Sequence, residues 1–202
     1  MRARALAGAA GLGLLGAALW WRNNPSACPY GQRWMIELPH PLITRERLRE
    51  VLDPRPGERL LEIGPGTGYY TLEVAEAVAP GGRVEIFDIQ EAMLDHTMRA
   101  AALRGVDNVA PARGDAAKLP YEDTSIDGAF LVTVLGEIPD DAAALRELAR
   151  VLKPGGRLVV GEIVADPHFV SPAVLRERAE AAGLRFERRS GPRLGYFARF
   201  SA

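Results

Sequence analysis

At 202 residues the chain is long enough for one α/β domain with a sizeable core and an appendage. Twenty-five basic side chains against twenty-six acidic ones leave no basic excess of the kind that would point to nucleic acid. A single cysteine, Cys28, excludes an intrachain disulfide and a cysteine-built metal cluster, and no metal site is expected. The charge is unevenly spread. Residues 1–52 and 173–202 each carry seven basic and three acidic side chains, leaving eleven basic and twenty acidic between them. Two readings stand level: a dipole that presses both ends toward an anionic lipid surface, or ordinary solvated faces.

Arg2 and Arg4 precede an unbroken small-and-apolar run from Ala5 to Trp21. As a helix its seventeen residues would rise about 26 Å, the short end of a bilayer's hydrocarbon core. Trp20 and Trp21 stand where an interfacial aromatic belt would be, and Ala9, Gly13 and Ala17 share one face at the spacing that lets membrane helices approach closely. No small-x-small cleavage site follows cleanly, so residues 1–22 read as an uncleaved single-pass anchor rather than a signal peptide. Arg45, Arg47 and Arg49 tip the flanking charge toward a cytosolic position for the catalytic part of the chain. Residues 23–43, broken by Pro25, Pro29, Pro39 and Pro41, read as a linker along the domain surface.

Thr44 can cap a helix from Arg45 to Leu52 that stops at Asp53-Pro54. Leu60-Leu61-Glu62-Ile63 then breaks into Gly64-Pro65-Gly66-Thr67-Gly68-Tyr69-Tyr70, a buried strand running through a tight turn into a helix. Alternate glycines leave backbone N–H groups bare beside a helix N-terminus, where a polar ligand meets no Cβ. Tyr69 occupies the place where a dinucleotide fingerprint wants its third glycine, which weakens a nicotinamide reading. A helix from Thr71 to Ala79 and a strand from Arg83 to Asp88 follow, with Asp88 24 positions after Gly64. A carboxylate at such a strand end suits both hydroxyls of a ribose, which supports a nucleoside ligand without naming it.

The helix Glu91 to Arg104 stops at Gly105, with His96 read as a surface histidine remote from the strand tips. A third strand, Val109 to Arg113, leads into Gly114-Asp115-Ala116-Ala117-Lys118-Leu119-Pro120. The fourth, Ile126 to Thr133, is a nearly continuous apolar run, as expected for the centre of a parallel sheet covered on both faces, and ends at Val134-Leu135-Gly136-Glu137. Asp140 caps a helix through Leu152, whose Leu-Lys-Pro-Gly-Gly turn feeds a fifth strand from Leu158 to Val164. Beyond His168, Ser171-Pro172 starts a helix that Gly183 stops, and strands Leu184 to Arg189 and Leu194 to Phe200 flank Gly191-Pro192.

Five ordered marks are therefore present: the glycine turn, Asp88, Asp115-Ala116 with Leu119-Pro120, Leu152-Lys153-Pro154-Gly155-Gly156, and the terminal strand pair. Over roughly residues 44–202 the chain resembles class I S-adenosylmethionine (SAM) methyltransferases, in particular the small-molecule type of ubiquinone and menaquinone biosynthesis. The resemblance implies a Rossmann-like, doubly wound α/β fold with a seven-stranded sheet closed by an antiparallel pair, besides the N-terminal hydrophobic helix. It implies SAM as cofactor, held at Gly64, Gly66 and Gly68, with its ribose on Asp88, its adenine on Asp115 and the N–H of Ala116, and its methionine end oriented by Glu62. For Asp115 the plain alternative is an Asx-type turn cap. A comparable N-terminal helix lies over the cofactor mouth in this type. That would put Tyr30, Trp34, His40 and Pro41 near the substrate entrance, unless they pack against the sheet.

Gly136-Glu137 replaces a polar or histidine pair of that group, so the resemblance assigns no base. Position after the fourth and fifth strands nominates Glu137 and His168, because ligands of open α/β sheets bind at the strands' carboxyl ends. The implied acceptor is small and lipophilic: a quinone precursor, an isoprenoid or a lipid headgroup. A noncatalytic SAM-binding module recruited through the face of Ala9, Gly13 and Ala17, and a nicotinamide oxidoreductase, are the rival readings. The oligomeric state is left open.

Overall fold

Near-continuous apolar strands have to be covered on both faces, because successive side chains point to opposite sides. The computed structural model describes residues 25–35 and 40–202 and meets that demand with a single sheet. Its strands are β1 (Arg59–Ile63), β2 (Arg83–Asp88), β3 (Val109–Arg113), β4 (Ile126–Val132), β5 (Leu152–Ile163), β6 (Arg185–Ser190) and β7 (Gly195–Ser201). They lie in the order β3-β2-β1-β4-β5-β7-β6, with the first five parallel and β7 antiparallel to both β5 and β6. This is the seven-stranded Rossmann-like arrangement that the sequence leads one to expect.

Helices α1 (Arg45–Leu52), α2 (Thr71–Val78) and α3 (Glu91–Arg104) cover one face, where Leu48, Val74 and Leu94 join Leu60, Ile86 and Val159 in a continuous core. Helices α4 (Asp141–Val151) and α5 (Pro172–Ala181) cover the other, with Leu145, Leu148 and Leu175 against Leu61, Leu131 and Val160. The polar caps fall where the sequence puts them. Thr44 Oγ1 accepts from the N–H of Arg47, Asp140 Oδ1 from that of Ala143 and Ser171 Oγ from that of Val174. Each satisfies one otherwise orphaned helical N–H.

β5 departs from expectation. It starts at Leu152, six residues before Leu158, because the Lys-Pro-Gly-Gly segment is a bulge inside the strand and not a turn ahead of it. The N–H of Gly155 donates to Ala202 O at 3.1 Å and that of Ala202 to Gly156 O at 2.9 Å, so the chain terminus pairs with the bulge. Two short 3-10 turns, Tyr30–Met35 and Leu135–Glu137, carry no advance signal in the sequence. The anchor expected at residues 1–22 lies outside the described residues. Among those described, no helix is long and apolar enough to cross a membrane.

Candidate functional site

In the sheet order, chain progression reverses between β1 and β4, and side-by-side strands whose connections leave in opposite directions leave a crevice at their carboxyl ends. A cavity of about 530 Å³ opens there, a size typical of sites for cofactor-sized ligands. One wall comes from the β1–α2 turn. Gly64 has φ +68°, and a Cβ on it would lie 2.4 Å from Val134 Cγ2, so a side chain here would be strained and would collide with the segment after β4. Gly64 and Gly66 both line the cavity.

The neighbouring wall carries Asp88 at the tip of β2, and Asp115 and Ala116 after β3. Asp88 Oδ1 accepts from the N–H of Gln90 at 2.8 Å, and burial pushes its carboxyl up to about 6. A carboxylate offers about four lone-pair sites, so Asp88 keeps capacity for further donors. Asp115 Oδ1 accepts from the N–H of Ala117 at 2.9 Å, which is the Asx-type turn. Its other oxygen is uncommitted by that turn, so turn cap and cavity wall coexist in one residue.

Neither Glu62 nor Gly68 lines the cavity. Glu62 is buried beneath the start of α2 and accepts from the Thr71 hydroxyl at 2.5 Å. Burial raises its carboxyl to about 8. Gly68 faces α3, where a Cβ would come within 3.1 Å of Thr97 Cγ2, and so serves the packing of turn on helix.

The far end of the cavity is built by Glu137 in the 3-10 turn after β4 and by Ala165, Asp166, Pro167 and His168 after β5. Glu137 is largely buried. Burial first, then the charges of Asp166 and Asp88, push its carboxyl up to about 8 against the pull of the Cys28 N–H. Asp166 accepts from the N–H of His168 at 2.6 Å, and burial raises it too. Gly136 explains its own departure from the expected pair: a Cβ there would stand 1.8 Å from the carbonyl oxygen of His168. Only glycine lets the two loops approach this closely.

Sequence reasoning missed the roof. Ser26, Ala27 and Cys28 line the cavity, so part of the expected linker belongs to the site. Gln90 grips this segment as a neighbouring strand would, donating Nε2–H to Cys28 O at 2.9 Å and accepting from the N–H of Tyr30 at 3.2 Å. The N–H of Cys28 donates to Glu137 Oε2 at 3.2 Å. Tyr30 also meets His96, hydroxyl to Nδ1 at 3.3 Å, so His96 is half-buried under the roof and not a free surface residue. His40 lines the cavity with its ring edge-on to Tyr69, and burial lowers its pKa. Trp34 and Pro41 are exposed, and neither lines the cavity. Short-range pattern carries no signal for these pairings, since the partners of Gln90 are backbone groups about sixty residues earlier in the chain.

Fold and cavity together define a class: a Rossmann-like domain that receives a nucleoside ligand at the β1/β4 crevice, as SAM-dependent methyltransferases do. Residues 36–170 match the ubiE/COQ5 methyltransferase family, two thirds of the chain. The chain belongs to that family of class I SAM-dependent methyltransferases, whose cofactor is S-adenosyl-L-methionine. It is 38% identical over 117 residues to the demethylmenaquinone methyltransferase of Staphylococcus aureus, covering 58% of this chain and 48% of that one. Identity is 43% over 113 residues to an uncharacterized 37.1 kDa protein in a transposon of Streptomyces fradiae, covering 56% and 32%. The chain thus spans half or less of these relatives' lengths. Among solved structures, a SAM-dependent methyltransferase from Aquifex aeolicus superposes with TM-score 0.79 at 21% identity, covering 87% of this chain and 99% of that one. The [4+2]-cyclase SpnF superposes with TM-score 0.65 at 27% identity, covering 72% and 57%.

Proposed function

We propose that the protein transfers a methyl group from SAM to a small lipophilic acceptor of quinone type at a membrane surface. The observation that carries this is the two-ended cavity. Backbone N–H groups and two carboxylates line one end, and apolar side chains with Glu137, Asp166 and His168 line the other. The named activity of the staphylococcal relative supports a quinone-type acceptor. The apolar run from Ala5 to Trp21 supports an anchored location with the catalytic domain, residues 44–202, on the cytosolic side.

Bound in this cavity, SAM supplies a methyl group on a sulfonium sulfur. The residues fit its parts. Asp88 can accept from two ribose hydroxyls, Asp115 and the Ala116 N–H match the adenine edge, and the turn at Gly64 and Gly66 gives a surface without Cβ atoms. The chain's main task is alignment in a site that excludes water, and the Cys28 roof and the apolar walls of Ile43, Val132 and Ile163 serve it. For an oxygen or carbon acid acceptor a proton must also leave, and Glu137 and His168 are the groups at hand to take it. Glu137, held up to about 8, is a stronger base when ionised than an ordinary carboxylate.

The test is to incubate the full chain with methyl-labelled SAM and a lipid extract containing demethylated quinones. Label in the lipid phase is expected. SAM binding without any label transfer would favour the noncatalytic reading, or non-methylating chemistry such as that named for SpnF on the same fold.

A further inference from the structure

Five large apolar side chains stand out as strongly exposed among the described residues: Trp34, Ile89, Leu103, Val164 and Leu194. Scattered singly, such residues mean little. These are not scattered. Ile89 directly follows β2 and lines the cavity, and Val164 directly follows β5. Leu194 directly precedes the antiparallel β7, whose first residue pairs with Ile163, and its carbonyl accepts from the N–H of Val164 at 2.8 Å. Trp34 sits in the 3-10 turn that Tyr30 ties to Gln90 beside the tip of β2. All four therefore share the carboxyl edge of the sheet, where the cavity opens. Leu103 is the exception, near the far end of α3, which runs back from that edge over roughly 20 Å.

A second observation is independent of exposure. The apolar run of the sequence ends at Trp21, and Ser26 already lines the cavity. Four steps of chain from Trp21 to Pro25 span at most about 14 Å. Whatever receives the apolar run must lie close to the cavity's rim. Arg33 adjoins Trp34 and Arg193 adjoins Leu194 in the sequence, the pairing in which an apolar side chain enters a lipid interface while a guanidinium stays at headgroup level.

We infer that the cavity-bearing edge of the domain docks face-on against a lipid bilayer, with Trp34, Ile89, Val164 and Leu194 in the interface. A lipophilic acceptor then enters the cavity from the bilayer without crossing water. This rests on the reading of residues 1–22 as an anchor, and it does not depend on methyl transfer.

The test places an environment-sensitive fluorophore on the full chain, carrying Cys28→Ser and one of Leu194→Cys, Val164→Cys or Leu103→Cys. The probe is a vesicle of phosphatidylcholine and phosphatidylglycerol with brominated acyl chains. Strong bromine quenching at 194 and 164 with little at 103 is expected. Equal quenching at all three would mean a domain that tumbles on a tether, and absence of quenching at 194 and 164 would mean that this edge does not meet lipid; either overturns the inference. SAM calorimetry on the unlabelled full chain with Cys28 intact separates the two proposals. The quenching pattern without SAM heat leaves the docking intact and counts against the methyltransferase reading, while SAM heat without the pattern does the reverse.

Discussion

The two ends of the cavity are built in different ways. The end proposed for the cofactor is local: Gly64 and Gly66 come from one turn, Asp88 from one strand tip, and Asp115 with Ala116 from one loop. The end proposed for the acceptor is assembled from four separated places: Cys28, His40, Glu137, and the loop of Asp166 and His168. The contrast teaches where each kind of recognition comes from. A nucleoside is grasped by backbone N–H groups and single carboxylates, which short motifs can specify. An acceptor pocket needs a roof, and here the roof is a proline-broken segment clamped by Gln90 and Glu137.

The sharpest way to break the cofactor end is Gly64→Ala. Positive φ and collision with Val134 should together cost roughly 2–5 kcal/mol of stability, read from denaturant unfolding. Gly136→Ala has an ordinary φ, but its Cβ would meet the carbonyl oxygen of His168, a backbone atom that cannot rotate away, so it should cost a comparable amount, about 3 kcal/mol or more, and should shift the acceptor end alone. Loss of SAM affinity in Gly136→Ala as large as that in Gly64→Ala would erase the distinction between the two ends.

At the acceptor end, Glu137→Gln should lower single-turnover methyl transfer to an oxygen or carbon acid by about 10²-fold with little change in SAM affinity. Full activity would leave alignment and desolvation as the whole mechanism. Its pH signature is separate. The Glu137 carboxyl rises from an ordinary 4.5 to about 8 on folding, so its contribution to stability is complete below 4.5 and is lost as pH climbs through 8. Glu62 and Glu162 are raised by burial as well, so Glu137→Gln should flatten part of that decline and not all of it. An unchanged pH profile of unfolding would contradict the burial assigned to Glu137. The smallest effect is expected from Gln90→Ala, which removes two roof hydrogen bonds and should raise the acceptor's KM by roughly 5-fold. No change in KM would detach the roof from the acceptor site.

Much of the fold was legible because its signals are short-range. Apolar runs marked β1, β4 and β5, polar caps at Thr44, Asp140 and Ser171 marked helix starts, and glycine and proline marked the turns. The bulge at Lys153–Gly156 was not legible, because its form depends on pairing with the chain's last residue. The partner of Glu62 was not legible either, because proximity in sequence to the glycine turn does not show that its carboxyl is buried on the Thr71 hydroxyl. The roof was invisible since four prolines exclude regular structure without saying where an irregular segment lies, and only the Gln90 and Glu137 contacts settle that for residues 28–30.

The central claim is that the crevice between β1 and β4 holds the nucleoside of SAM on Asp88. Calorimetric titration of SAM and of NAD into the native protein and into Asp88→Ala tests it most directly. The native protein should bind SAM and not NAD. Affinity should hold steady above about pH 6 and weaken below it as Asp88 takes up a proton. Asp88→Ala should cost about 1.5–3 kcal/mol, roughly 10- to 150-fold in affinity. SAM affinity unchanged in Asp88→Ala, or NAD bound as tightly as SAM, would contradict the account.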